Sequence, residues 1–398
     1  MSEDSASPRQ QDLSPGLTVL LAAACGAIVA NLYYAQPLVG LIGPAIGLRP
    51  EAAGLVVTLT QLGYGAGLVL LVPLGDLVEN RPLIRRTLGG VVIALLLAAA
   101  APSAGLFLVA SLLIGVTSVV AQMLVPLAAH MAPEATRGRV VGNVMSGLLL
   151  GILLARPVSS LIADAFGWRA VFQASAGLAA LLFLLLPRLL PDRRPAAGAT
   201  YGRLLASLWP LLRDTPVLQR RAAYQAAMFA SFSLFWTAVP LELAGPRFGF
   251  SQRGIALFAL AGAAGALAAP IAGRLADRGF TRPATAASLA VGALAYASTW
   301  FSGERSVAGL VAAVVVLDCA VQCNLVLGQR EIYALGAETR SRLNGLYVAL
   351  LFLGGAAGSA LAGVLMARGG WRAVAVAGTG FLLVALAFHA TEYRRKAP

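Results

Sequence analysis

The sequence predicts an all-α integral membrane protein that crosses the bilayer twelve times, as two halves of six helices. Three observations predict it. Of 398 residues, 59% are hydrophobic and only 12% charged. Apolar runs long enough to span a bilayer recur along the chain, and motifs in the first half return in the second. Soluble domains carry about 45–50% apolar and about 25% charged residues. A mean hydropathy of +0.80 therefore excludes a soluble enzyme, a disordered chain and a nucleic-acid module.

A helix needs about 20 apolar residues to cross a membrane. Twelve runs meet or approach that length: 17–40, 52–74, 87–102, 105–130, 140–163, 168–190, 221–243, 252–273, 284–301, 306–328, 341–366 and 371–390. The third and ninth are the shortest. The polar first 16 residues hold neither a basic n-region nor a small-residue cleavage site, so a removable signal peptide is not expected. Pro191, Pro195, Pro210 and Pro216, set among arginines, mark the longest polar interruption. It divides the chain into a first half (1–190), a central loop (191–220) and a second half (221–398).

The repeat shows in three places. TRGRVVG at 136–142 returns as TRSRLNG at 339–345, and GWRAV at 167–171 returns at 370–374, both at an offset of 203. GDLVENR at 75–81 is echoed by GRLADRG at 273–279, offset by 198. Small residues four apart recur on every third run: Gly63 and Gly67, Gly147 and Gly151, Gly262 and Ala266, Gly354 and Gly358. Such pairs let helix backbones approach closely.

Charge gives the orientation. With the N-terminus inside, 22 of the 30 basic residues fall in cytoplasmic segments, seven fall in outer loops, and Arg156 is left within the fifth run. This asymmetry follows the positive-inside rule and places both termini in the cytoplasm. It also accounts for the net charge of +13 without a nucleic-acid partner. Cys25, Cys319 and Cys323 all sit in apolar runs, and neither a disulfide framework nor a metal spacing follows.

Twelve helices, a basic central loop, the 6+6 repeat and the echoed loop after the second run resemble the major facilitator superfamily. The second copy of the loop fits that family's signature at Gly273, Asp277 and Arg278. The first departs from it, with Glu79 for the usual aspartate and Asn80 for a basic residue, while Arg81, Arg85 and Arg86 supply charge. NLYYAQPL at 31–38 is similar to the first helix of a bacterial drug-efflux-like branch. The resemblance implies alternating access by two rocking halves around a cavity lined by the first, fourth, seventh and tenth helices. Gly75 and Gly273 would allow tight helix exits. Glu79 would sit near a helix N-terminus, that of the eleventh helix being expected, and pair with Arg81 or Arg85 as a cytoplasmic gate.

Ionisable groups inside a membrane are costly and are functional candidates by default. Asp318 lies near the middle of the tenth run, Glu242 near the outer end of the seventh, and Arg156 two-thirds of the way out along the fifth. Asp318 is the leading proton carrier, with Glu242 and Arg156 as the other coupling candidates. Counting about 1.5 Å per residue separates Arg156 from Asp318 by roughly 10 Å in depth. Asn31, Tyr34 and Gln36 on the first run, Gln122 on the fourth, Gln225, Phe232 and Trp236 on the seventh, and Gln322 on the tenth are the cavity candidates. An aromatic and amide lining suits amphiphilic or weakly charged organic molecules.

These readings converge on a secondary active transporter of the inner membrane, acting as a monomer among lipids and moving a small organic molecule by proton-coupled efflux. No cofactor or metal is expected. Ile152 stands where the drug-antiporter motif of the fifth helix has proline, so proton-coupled uptake of a sugar or metabolite is the alternative. A lipid-modifying membrane enzyme is the second alternative. With only His130 and His389, both near membrane interfaces, no histidine cluster is available to such an enzyme, nor is there a paired-aspartate metal motif. A single lysine, Lys396 at the chain's end, excludes a P-loop pump.

Overall fold

The computed structural model describes residues 14–192, 200–336 and 339–394. Arg9, Arg193, Arg194, Arg395 and Lys396 of the charge count lie outside the described residues, as do the side chains of Ala266 and Arg394. Every regular element among the described residues is helical. Among the described residues ten helices are long and apolar enough to cross a membrane.

The first run is a broken helix. It comprises α1 (Pro15–Ala30), a turn, a 3-10 segment (Gln36–Leu38) and α2 (Val39–Ala45). Pro37 lacks an N–H, and its ring would meet the carbonyl of Tyr33 in a continuous helix. The backbone tightens instead: Leu32, Tyr33, Gln36 and Leu38 each donate to the carbonyl three residues back, at 3.0–3.2 Å. The break changes which way Tyr33 and Gln36 face.

α3 (Leu55–Leu70), α4 (Asn80–Ala100), α5 (Ala104–Thr117), α6 (Val120–Met131), α7 (Arg137–Phe166) and α8 (Trp168–Leu189) complete the first half. The third run is longer than its apolar core suggested, because Asn80–Arg86 joins the helix as an amphipathic start. The interval 191–220, read as a loop, contains the helix α9 (Tyr201–Asp214). Leu204, Leu205, Leu208, Leu211 and Leu212 give it an apolar face at helical spacing, which the prolines and arginines obscured.

α10 (Pro216–Ala244) is the most enclosed of the spans. α11 (Gln252–Ala259) and α12 (Ala268–Asp277) flank a 3-10 stretch at Leu260–Leu267. α13 (Thr281–Ser302) and α14 (Val307–Tyr333) follow. α15 (Arg340–Arg394) turns at Gly370, whose φ of 60° is a conformation that suits glycine. Gly167, at the repeat-equivalent position between α7 and α8, has φ 83°.

Contacts show that α15 is a hairpin. Its first limb runs parallel to α10, with Gly354 against Ala226 and Gly358 against Ala230. Its second limb runs antiparallel, with Trp371 against Phe235, Ser231 donating to the Gly378 carbonyl, and Tyr224 beside Phe388. In the first half α1 and α7 make the same parallel contact, Gly147 on Ala22 and Gly151 on Gly26. In each of these pairs a Cβ on the glycine would strike the partner's backbone. The spacing thus marks backbone-to-backbone seams in the fifth and eleventh runs, whereas Gly262 of the eighth meets the side chains of Trp236 and Asp318.

The halves meet along α3 against α15 and α7 against α11. Away from the arginine-rich end the seams are closed. Gly54 packs on Ser359, Gly363 on the backbone of Pro50 and Glu51, and a Cβ on Gly40 would lie 3.3 Å from Leu241. Thr58 and Ser359 share a 2.9 Å hydrogen bond, and Asp164 faces Arg253 at 3.9 Å. At the arginine-rich end a cavity of about 80 Å³ separates the halves. Its walls include Gln122 and Pro126 from the first half, Leu204 and Leu208 of α9, and Ser341 and Leu346 of α15.

Candidate functional site

Arg156 and Asp318 are joined through one residue, Trp236. The Arg156 guanidinium lies over the indole, 4.4 Å from its centroid. The indole Nε1–H donates to Asp318 Oδ1 at 3.2 Å. Arg156 comes from α7 in the first half; Trp236 and Asp318 come from α10 and α14 in the second. The difference in depth counted along the helix axes does not keep them apart, since the indole bridges it. Arg156 is 5% exposed and Asp318 7%.

Further groups complete the cluster. Arg156 Nε donates to Gln36 Oε1 at 2.7 Å, and the guanidinium also lies 4.9 Å from the Tyr33 ring and 5.1 Å from Phe232. The break around Pro37 is what brings Tyr33 and Gln36 to this point. Behind Asp318 the 3-10 stretch of 260–267 supplies two glycines. A Cβ on Gly262 would come 2.6 Å from Trp236 and 2.8 Å from Asp318 Oδ2, and one on Gly265 would come 2.7 Å from Asp318 Cβ. Only glycine leaves the carboxyl and indole this room. Cys319 and Cys323 lie against the Ala264 and Ala268 carbonyls at 3.6 and 3.7 Å.

An aromatic column runs from this cluster toward the cavity. Trp236 and Phe232 are 6.4 Å apart, Phe232 stacks on Phe229 at 5.2 Å, and Phe352 and Tyr64 follow at 5.1 and 4.6 Å. Gln122, on the cavity wall, donates to the Tyr64 hydroxyl at 3.1 Å. Aromatic pairs at these spacings favour tilted and offset contacts.

The other expected residues are dispersed. Ser175 donates to Asn31 at 2.6 Å and also faces half-buried Tyr34. Gln225 accepts from Asn324 at 2.7 Å, and Gln322 is half-buried one turn beyond Asp318. Glu242 lies with Arg247 and Glu304 at the end opposite the arginine-rich one. Glu79 is the N-cap residue of α4. Arg81 holds Asp192 at 2.7 Å and the Leu190 carbonyl, and Arg85 lies over Phe183 at 5.2 Å. Asp277 pairs with Arg330, and Arg278 is exposed. Gly75 borders the cavity together with Asp76, whereas Gly273 lies within α12. The left-handed turn of the second copy falls at Gly279, with φ 81°.

Sequence reasoning passed over a second buried network. Gln61 donates to Ser233 at 2.8 Å, and Ser359 donates to Gln61 at 3.2 Å, tying α3 to both α10 and α15. An amide in the middle of an apolar run was the signal, the same one that singled out Gln122 and Gln225.

The major facilitator superfamily model matches residues 19–328 and 222–398. An uncharacterized transporter of Escherichia coli O157:H7, YgaY, is 42% identical over 379 residues, covering 94% of this chain and 95% of its own. A mutant of the nucleoside transporter NupG superposes with a TM-score of 0.77 at 15% identity, over 94% of this chain and 99% of its own. A D-xylose-proton symporter superposes with a TM-score of 0.71 at 16% identity, over 94% and 97%. Two different substrates on one architecture tie these likenesses to the fold alone. With the family model spanning the chain and a full-length relative described as a transporter, the chain belongs to the major facilitator superfamily.

Proposed function

We propose that this protein is a proton-coupled secondary transporter of small organic molecules in the cytoplasmic membrane. Its two halves alternate access, and Asp318 carries the proton. One observation carries the reading: a buried cation of the first half lies over the face of a single tryptophan whose N–H, at the ring edge, donates to a buried carboxyl of the second half. Rocking the halves apart must slide Arg156 off Trp236, which changes the surroundings of Asp318 at the moment access changes. A carboxyl whose environment is tied to the conformational equilibrium can exchange protons with one side at a time.

The arginine-rich end is cytoplasmic on the positive-inside rule, so the cavity opens inward and the sealed end faces out. Glu79 and Asp277, in the two copies of the signature loop, stabilise the alternate arrangement closed on the cytoplasmic side. Efflux is the direction that the first-helix resemblance favours, and the protein works as a monomer.

Reconstitution into sealed proteoliposomes tests the reading. Under an imposed pH gradient, a panel of small organic molecules should show gradient-dependent flux, with proton movement reported by a trapped pH dye. Acid-inside and acid-outside vesicles then assign the direction. Flux unaffected by the gradient for every transported compound would contradict proton coupling.

A further inference from the structure

We infer that Arg156 and Gln36 form the recognition site for the carboxylate of a small organic monoanion, an assignment that rests on the transporter reading and narrows its substrate class. The hydrogen-bond pattern of the cluster carries it. Arg156 uses Nε on Gln36 Oε1. Among the described residues its Nη2 finds no hydrogen-bond acceptor, and neither does Gln36 Nε2. Gln36 is fully buried and Arg156 nearly so. The two unpartnered donors lie two covalent bonds from either end of the same hydrogen bond, so both belong to one small patch.

Among the described residues no carboxylate is in ion-pair contact with Arg156: Asp318 accepts from the indole N–H of Trp236, while the guanidinium lies over the ring face. A guanidinium removed from water with one hydrogen bond and three aromatic faces is costly to bury. Those faces offset the cost only in part. The patch lacks a planar acceptor bearing one negative charge. A carboxylate meets that description and matches the guanidinium fork. A sugar hydroxyl would bring no charge to the two open donors, and an organic cation would be repelled. Asp318, one indole away, disfavours a second negative charge and sets the preference for monoanions.

The rings choose the body of the ligand. Tyr33 and Arg156 belong to the first half, whereas Phe232 and Trp236 belong to the second. When the halves separate, the guanidinium leaves the Phe232 and Trp236 faces. A flat or unsaturated body can then enter against those rings while its carboxylate takes Nη2 and Gln36 Nε2. In the sealed arrangement the aromatic faces occupy that place, which accounts for the burial of both donors.

The test is calorimetric binding to full-length protein purified in detergent. The probes are benzoate, phenylacetate, cinnamate and octanoate, each beside its amide and its amine. At least one carboxylate should bind about 10- to 100-fold more tightly than its amide, the worth of a hydrogen bond to a charged group, with its amine weaker still. Arg156→Gln should erase that preference, and Gln36→Met, which keeps the arginine, should reduce it. The wild-type panel decides even where a variant fails to fold. Amides or amines binding as well as the carboxylates, no carboxylate binding, or an Arg156→Gln protein that keeps the preference would each overturn the assignment. In proteoliposomes, gradient-driven flux of an amide or amine with no carboxylate flux would overturn it while leaving the transporter reading intact.

Discussion

At the scale of single residues, Trp236 holds the two ionisable groups in different ways, and substitution can separate them. Trp236→Phe keeps an aromatic face for Arg156 and removes the N–H that Asp318 accepts. The lost bond is one to a charged group, worth about 1.5–3 kcal/mol. Trp236→Leu loses the face as well and should slow gradient-driven transport more than Trp236→Phe, as measured by initial rates in proteoliposomes. Equal rates for the two variants would show that the cation–ring contact contributes nothing. Gly262 is the second sensitive position, because any Cβ there meets Trp236 and Asp318. Gly262→Ala should destabilise the protein by about 1–3 kcal/mol through overpacking. Gly273→Ala, with nothing within 4 Å, should raise or preserve the detergent melting temperature, since alanine is the better helix former.

At the scale of elements, the seams between helices depend on glycine and the buried polar network depends on amides. Gly358→Leu drives a side chain into the Ala230 backbone of α10 and should lower the melting temperature more than Gly380→Leu, which meets open space. Apolar run length was enough to read an all-helical membrane chain, though not the helix α9 inside the interval read as a loop. The break in the first helix and the 3-10 stretch at Leu260–Leu267 were not legible, because an apolar run has the same composition in either backbone form. Pro37 was visible, but its effect on where Tyr33 and Gln36 point was not. Asp318 and Arg156 were legible as costly charges in apolar surroundings. Their shared tryptophan was not, because spacing along one helix says nothing about which helix packs beside it. Gln61 escaped notice for a related reason. Its partners Ser233 and Ser359 are ordinary small polar residues until α3, α10 and α15 come together.

At the scale of the whole molecule, the proposed alternating access makes the closed seams at one end and the cavity at the other one state of a two-state cycle. Thr58 and Ser359, with hydroxyls 2.9 Å apart across the α3–α15 seam, offer a way to hold that state. Cysteines at both positions, in a background lacking Cys25, Cys319 and Cys323, are short and close enough to oxidise to a disulfide. The oxidised protein should stop transporting and recover on reduction; continued transport while cross-linked would mean that this seam does not open. Orientation is tested separately with a cysteine at Ala199, outside the described residues, which should resist an impermeant label on intact cells. The most direct test of coupling through the buried cluster compares two modes of transport by Asp318→Asn in the same proteoliposomes. Asparagine mimics the protonated carboxyl and still accepts from Trp236, so the halves can rock. Gradient-driven accumulation should fall to the level of protein-free vesicles, while exchange of labelled for unlabelled substrate continues. Full gradient-driven accumulation by Asp318→Asn would contradict the account and shift attention to Glu242.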